Sequence, residues 1–204
     1  PDREVAHDKS SHFWDMVELN DVHESRLPRL EQDCVPILDD SHVAMSVSLD
    51  ACIQCGLCVR ACREVQVNDV IGMSGRGHKS YPTFDMADPM GSSTCVGCGE
   101  CVQACPTGAL MPSSVVDEGQ VGDSKDYDKE VKSVCPFCGV GCQVSLKVKD
   151  NKIKFVEGIN GPANEGRLCV KVRYGFYYIH NDQRLTKPLI RITDAPEKGL
   201  NVDQ

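Results

Sequence analysis

The sequence predicts an α+β fold with two small domains, each of which is stabilised by metal–thiolate bonds. The chain has 13 cysteines among 204 residues, and twelve of them fall into sets of four. Aromatic residues make up only 5% of the chain, so neither domain can bury many large apolar side chains. Short strand patterns and short helix patterns alternate around the cysteine motifs. Small domains of this composition need another source of stability, and bound metal can supply it.

The first predicted domain contains two copies of one cysteine motif. The later copy reads CVGCGECVQACP from Cys95, and the earlier copy reads CIQCGLCVRACR from Cys52. Intervals of two, two and three residues between cysteines are those of bacterial ferredoxins, which hold 4Fe-4S clusters. In two-cluster ferredoxins the fourth cysteine of each copy binds the other cluster. The motif therefore predicts two clusters that are each held by both copies.

Cross-ligation defines two groups of ligands. The first cysteine set is Cys52, Cys55, Cys58 and Cys105, and the second cysteine set is Cys95, Cys98, Cys101 and Cys62. Zinc sites usually take two separate CxxC pairs, and disulfide frameworks are typical of small secreted chains. We therefore predict a ferredoxin-like domain over residues 47–116 with a 4Fe-4S cluster at each set. So many free thiols indicate a reducing compartment, here the cytoplasm.

The elements of this domain follow from the repeat. Each copy is expected to follow a short strand and to end in a helix that carries its last cysteine. Between the copies, glycines and prolines mark an inserted loop, in which YPTFDM is a candidate strand. Residues 1–46 are predicted to form an extended interface segment in which HFWDMVEL can form a short helix. Cys34 in this segment has no CxxC neighbour and is interpreted as a free thiol, and the histidines of the segment are interpreted as surface residues.

A second domain is predicted over residues 131–190, after a Ser-, Asp- and Gly-rich linker over residues 117–130. It contains the third cysteine set, which is Cys135, Cys138, Cys142 and Cys169. Between these cysteines, QVSLKV and KIKFVEG alternate apolar and polar residues around a KDN turn, which predicts a β-hairpin. The hairpin would carry the chain out and bring Cys169 back to the other three. Spacing alone leaves zinc open as an alternative here, because four thiolates around a hairpin also suit zinc.

Charge differs along the chain. Residues 1–50 contain 12 acidic and 4 basic residues, whereas residues 131–204 contain 7 acidic and 12 basic residues. The acidic front half disfavours nucleic acid as a partner. The basic end could face an anionic ligand or an acidic neighbour, or it could be an ordinary solvated surface. No apolar run reaches the roughly 18 residues that a membrane span needs, so none is expected.

Residues 41–204 resemble a known family. CPFCGVGC, the hairpin, GRLCVKVRYGF and HNDQRLTKPLIR resemble the N-terminal iron–sulfur domain of molybdopterin-dependent oxidoreductases. Together with SLDACIQCGLCVRACREVQVNDVIGM and CVGCGECVQACPTGAL, they resemble the catalytic subunit of NAD-dependent molybdenum or tungsten formate dehydrogenases. The resemblance implies a third 4Fe-4S cluster at the third cysteine set. It also implies that residues 191–204 begin a pterin-binding region that is truncated here.

The resemblance further implies a function in electron transfer. The segment would pass electrons from a molybdenum- or tungsten-bis-pterin guanine dinucleotide, where formate is oxidised to CO2, through three clusters to a flavin- and NAD-binding iron–sulfur subunit. Lys171 occupies the place of a lysine that relays electrons between the third cluster and the pterin, although Val172 stands where the family usually has glycine. No catalytic residue is expected in the segment itself. The alternatives are a standalone polyferredoxin-type carrier, or the same module in another molybdopterin oxidoreductase, a hydrogenase or a complex-I-like subunit.

Overall fold

A computed structural model of the chain describes residues 6–22, 38–116 and 121–188, together with Arg3, Glu24 and Arg26. Cys34, linker residues 117–120 and the predicted pterin-binding residues 191–204 lie outside the described residues. Within them the chain forms short helices and small antiparallel sheets, which confirms the α+β prediction.

The first unit, residues 38–116, combines two small sheets with two cysteine-bearing helices. Its elements are β1 (Leu38–Asp39), β2 (Met45–Ser48), α2 (Leu57–Arg60, continued by a π-helical turn Ala61–Val65), β3 (Ile71–Ser74), β4 (Tyr81–Phe84), α3 (Glu100–Ala104) and β5 (Leu110–Pro112), and α1 (His12–Leu19) precedes them. Strand β2 lies between β1 and β5, with Val47 opposite Leu110. Strands β3 and β4 pair with each other in a separate sheet, which confirms the candidate strand in YPTFDM. The candidate helix HFWDMVEL is also confirmed, because it forms α1.

The two copies of the cysteine motif end differently, and one residue explains the difference. Pro106 follows Cys105, and α3 ends at Ala104 because the residue before a proline is held out of the helical region. Arg63 stands at the equivalent place after Cys62, and the helix continues through a π turn to Val65. The expectation that each helix carries its last cysteine therefore holds for Cys62, whereas Cys105 lies just beyond its helix in extended conformation.

The core of the first unit is small and closes around the cysteines. Met45, Met90 and Leu110 are almost fully buried in it, together with the second-set residues Cys62 and Cys101. Thiol groups that pack as part of the core replace large side chains that the sequence lacks, as its composition predicts. One core residue, Tyr174, belongs to the second unit.

The second unit contains the predicted hairpin and one strand that the sequence did not reveal. Its elements are β6 (Lys129–Val134), β7 (Gln143–Lys149), β8 (Lys152–Gly158), α4 (Val170–Tyr174) and a 3-10 turn over Gly175–His180. Strands β7 and β8 form the hairpin, and β6 pairs along β7 in the order β6-β7-β8. The buried ammonium of Lys147 on β7 lies 3.0 Å from Glu130 on β6 and 3.3 Å from Glu157 on β8, which ties the three strands together. Strand β6 begins at Lys129, inside the segment 117–130 that the sequence predicts as a linker.

The N-terminal arm, residues 6–19, packs against the chain itself. The Phe13 amide at the start of α1 donates to the Pro106 carbonyl at 2.8 Å, and the Trp14 indole donates to the Asp8 carbonyl at 3.0 Å. Asp8 also forms a bridge with Gly122, which joins the arm to the segment after the first unit. His7 is buried, so its interpretation as a surface histidine was wrong. The predicted interface role of residues 1–46 stays a prediction. No described helix has both the length and the apolar character that crossing a bilayer requires.

Candidate functional site

The structure brings the first cysteine set together at one end of the first unit. All four cysteines line a single pocket, whose other walls are mostly apolar and include Val47, Ile71 and Phe84. Burial and the neighbouring thiols of Cys105, Cys52 and Cys55 together raise the pKa of the Cys58 thiol to about 12. Cys105 therefore joins the three cysteines of the earlier copy, which is the arrangement that cross-ligation requires.

The second cysteine set forms in the same way around the later copy. Burial raises the pKa of Cys101 well above its ordinary value, and the thiols of Cys98, Cys95, Cys58 and Cys62 act in the same direction. Cys62 thus lies among the cysteines of the later copy, as cross-ligation predicts. Since Cys58 of the first set also acts on Cys101, the two sets lie side by side.

Backbone amides approach the sulfur atoms of both sets. The Gln54 amide lies 3.4 Å from the Sγ of Cys52, and the equivalent Gly97 amide lies 3.4 Å from the Sγ of Cys95. The second set has an additional donor in the Val70 amide, 3.3 Å from the Sγ of Cys62. Donors of this kind stabilise negative charge on sulfur, so they would favour the reduced form of a bound cluster.

The third cysteine set lies at the open end of the β6-β7-β8 sheet. The Cys135 amide donates to the Cys142 carbonyl at 2.8 Å, which closes the loop between these cysteines. Burial raises the pKa of Cys142, and the thiols of Cys135, Cys138 and Cys169 add to the rise. All four cysteines therefore converge, and Cys138 and Cys169 are exposed.

A buried asparagine, Asn164, holds the segment that returns Cys169 to its set. Its side-chain oxygen accepts from the Gln143 amide at 3.0 Å. Its side-chain nitrogen contacts the carbonyls of Gln143, Ile159 and Arg167 at 3.1–3.2 Å. Asn164 is not among the residues that the sequence predicts as functional. Its position in an NGPANEG turn was the available signal, because asparagine side chains commonly organise such turns.

The donor chemistry of the three sets fits iron–sulfur clusters. Within the described part of the chain, no three His, Cys, Asp or Glu side chains lie close enough together to hold one metal ion. Ligands of a single zinc ion would be roughly 3.8 Å apart, given Zn–S bonds of about 2.3 Å. In a 4Fe-4S cluster each cysteine binds a different iron, so the sulfur atoms are farther apart. Cluster binding would also require each of these cysteines to bind as a thiolate.

A buried arginine, Arg173, connects the second and third cysteine sets. It lies on α4, which begins directly after Cys169, and it is only 3% exposed. Its Nε donates to the Cys98 carbonyl at 2.7 Å, and its other nitrogens donate to Gln103 at 2.9 Å and Glu100 at 3.1 Å. Helix α4 thus joins the third set to the cysteine loop of the second. The sequence analysis assigned no role to Arg173.

Gln103 strengthens the same contact from the first unit. Its side-chain nitrogen donates to the Gly166 carbonyl, and its oxygen accepts from the Gly158 amide, both at 3.1 Å. These two partners lie in the second unit, on the return segment and at the end of β8. Nothing in the local sequence around Gln103 indicates this contact, because its partners are 55 and 63 residues away.

The candidate relay residue Lys171 is exposed on α4. Its side chain forms no hydrogen bond or ion pair with any described residue. Val172, where the family usually has glycine, is buried in the small core beside Cys135 and Leu168. The backbone at Val172 is helical, a conformation that valine adopts without strain. The substitution therefore leaves the turn into α4 intact.

Comparison with known proteins identifies both units. Residues 51–109 match the model of the 4Fe-4S dicluster domain, and residues 128–181 match that of the molybdopterin oxidoreductase Fe4S4 domain. Proteins of Staphylococcus haemolyticus (strain JCSC1435) and Staphylococcus aureus (strain USA300), each named "putative formate dehydrogenase", are 32% and 31% identical over 70% and 69% of this chain. The chain spans 18% of the length of each relative. A crystal structure of an NAD+-reducing NiFe-hydrogenase in the H2-reduced state is 23% identical, with a TM-score of 0.45 over 51% of this chain and 44% of that one.

Proposed function

Because residues 51–109 form a 4Fe-4S dicluster domain and residues 128–181 belong to the molybdopterin oxidoreductase Fe4S4 domain family, we propose that the chain is the electron-transfer portion of a formate dehydrogenase catalytic subunit. It passes electrons from a molybdenum- or tungsten-bis-pterin guanine dinucleotide site, where formate becomes CO2, through three 4Fe-4S clusters towards a flavin- and NAD-binding iron–sulfur subunit. Its partners are that subunit and the remainder of its own catalytic subunit, in the cytoplasm.

The observation that carries this proposal is the continuity of the three cysteine sets. The first and second sets share the core of the first unit and exchange their fourth cysteines between motif copies. Helix α4 starts at the third set and ends against the cysteine loop of the second. A standalone carrier has no need of a fixed third site, whereas a relay from a remote catalytic centre requires fixed distances between its carriers.

The protein's own groups have three tasks in this proposal. The twelve thiolates of the three sets hold the clusters, which supply one-electron carriers when bound. Backbone amides at Gln54, Gly97 and Val70 stabilise negative charge on the sulfurs. Arg173 fixes the second set relative to the third. The exposed ammonium of Lys171 is available to a pterin beyond the third set, in keeping with its proposed relay role.

The experiment is elemental analysis of the full-length protein purified without oxygen. We expect about 12 irons per chain, from three clusters of four, with molybdenum or tungsten and no stoichiometric zinc. Eight irons with one zinc would reject a cluster at the third set in favour of a zinc ribbon. Three clusters without molybdenum, tungsten or pterin would instead favour a polyferredoxin-type carrier.

A further inference from the structure

Tyr174, the last residue of α4, places a phenol beside the second cysteine set. The residue is 9% exposed and packs in the core of the first unit, although it belongs to the second. A Cβ atom added at Gly99, between Cys98 and Cys101, would lie only 2.4 Å from the Tyr174 hydroxyl oxygen. Burial raises the pKa of Tyr174, and the thiols of Cys101 and Cys98 contribute to the rise. The hydroxyl is therefore adjacent to the loop that carries this set.

The Tyr174 hydroxyl has no hydrogen-bond partner among the described residues. A buried hydroxyl without a partner costs roughly 1–3 kcal/mol, so such groups are rare and call for a missing acceptor. The adjacent carbonyl of Cys98 is already bonded to Arg173 at 2.7 Å. A sulfur-rich group at the second set would provide acceptors beside the loop that the phenol contacts.

The first cysteine set has a hydroxyl neighbour of a different kind. Most of its pocket is lined by apolar side chains, and the Thr107 hydroxyl oxygen in its wall lies 3.6 Å from the Sγ of Cys105. The second set is approached by both Arg173 and Tyr174, but the charge of Arg173 is balanced by the carboxylate of Glu100 at 3.1 Å. The Tyr174 hydroxyl therefore differs from the Thr107 hydroxyl in that it has no partner among the described residues, whereas Thr107 already has a sulfur neighbour.

We propose that the Tyr174 hydroxyl donates a hydrogen bond to a sulfur atom of the cluster held by the second cysteine set, and so raises the reduction potential of that cluster. The inference rests on the proposed three-cluster relay. A donor to sulfur stabilises the reduced cluster, because reduction adds negative charge to the sulfur atoms. Helix α4, which begins beside the third set, thus makes the second cluster easier to reduce than it would be without the Tyr174 hydroxyl.

The test uses Tyr174→Phe in the full-length, cluster-loaded protein, since phenylalanine keeps the ring and removes only the hydroxyl. Tyr177→Phe is the matched control, because Tyr177 is 60% exposed three residues further along. Redox titration followed by EPR should show the ratio of reduced to oxidised second cluster falling roughly three- to tenfold at a fixed potential, the effect of one neutral hydrogen bond. The signal that Cys98→Ser alters identifies the second cluster. The other clusters and the Tyr177→Phe protein should be unchanged.

A second measurement detects the hydrogen of the proposed bond directly. After transfer of the unsubstituted protein to D2O, electron–nuclear double resonance on the reduced second cluster should detect an exchangeable hydrogen that Tyr174→Phe lacks. A Tyr174→Phe protein with all its iron but an unshifted potential overturns the inference, and so does the absence of this hydrogen. Iron content far below about 12 per chain would instead refute the proposed three-cluster relay, so the two failures are distinguishable.

Discussion

Replacing Arg173 with methionine should open the contact between the two units. The substitution keeps an apolar stem but removes the guanidinium, which leaves the Glu100 carboxylate, 12% exposed, without its partner. Removing one member of a buried ion pair costs about 3–5 kcal/mol, and Arg173 also bonds the Cys98 carbonyl and Gln103. We take about 3 kcal/mol as the loss in docking free energy, because Glu100 retains some access to water. That corresponds to a roughly 150-fold change in the docking equilibrium.

Hydrogen exchange at the Gly158 amide measures this equilibrium directly. That amide donates to the side chain of Gln103 across the contact, so it is protected only while the units are docked. Exchange followed by mass spectrometry on cluster-loaded protein should be about 150-fold faster at Gly158 in Arg173→Met. The double variant Arg173→Met with Glu100→Gln should recover part of the loss, because no buried charge is then left unpaired.

Arg167→Met provides the control for this experiment. Arg167 lies in the same unit, but its side chain is 52% exposed and stands 3.8 Å from Glu165, so its ion pair contributes little. The reasoning is refuted if Gly158 exchanges no faster in Arg173→Met than in Arg167→Met. It is also refuted if exchange at the other amides of β7 and β8 rises as much as at Gly158, since that would indicate general unfolding of the second unit rather than undocking.

Three further predictions test the cysteine sets, the relay residue and the docking surface. Cys62→Ala should damage the cluster of the later motif copy and Cys105→Ala that of the earlier copy; EPR spectra with the opposite assignment would contradict cross-ligation. Lys171→Ala in the full-length enzyme should keep all three clusters but lower formate turnover with NAD and with an artificial acceptor alike, and arginine should restore it only partly. Full activity would make Lys171 a surface residue. Gly99→Ala should lower the thermal unfolding midpoint more than Gly56→Ala. Both glycines have positive φ, so alanine strains the backbone at either position, but only at Gly99 would the added Cβ lie 2.2 Å from the Arg173 Cδ. Equal losses would mean that α4 does not dock against Gly99.

The features that the sequence predicts correctly depend on short-range patterns. The repeated cysteine motif predicts which cysteines come together, because its spacing dictates a loop followed by a helix. The β7–β8 hairpin is evident from alternating apolar residues around an Asp-Asn turn, and both Asp150 and Asn151 adopt the positive φ that such a turn requires. These signals lie within about ten residues of the structure they predict.

The features that were missed depend on distant partners. All six residues of β6 are exposed, so its sequence has no alternation of apolar and polar residues that would indicate a buried face. Its pairing with β7 depends on the ion pair between Lys147 and Glu130 across the two strands. Arg173 reads locally as one more cation in a basic segment, but its carbonyl partner at Cys98 is 75 residues away. No local propensity reports such a pairing. The end of α3 at Ala104 differs from these missed features, because a local signal, Pro106, predicts it.

Helix α4 also has a consequence for the order in which the molecule matures. The cysteines of the first two sets are complete once residue 105 has been synthesised, but the loop from Cys98 to Cys101 receives its clamp only when Arg173 folds against it. Helix α4 in turn begins directly after Cys169, an exposed residue that depends on its own set for a fixed position. We therefore expect cofactor insertion at the third set to complete the enclosure of the second. Oxidative loss of the third cofactor would then release Arg173 from the loop between Cys98 and Cys101 and expose the second set to solvent.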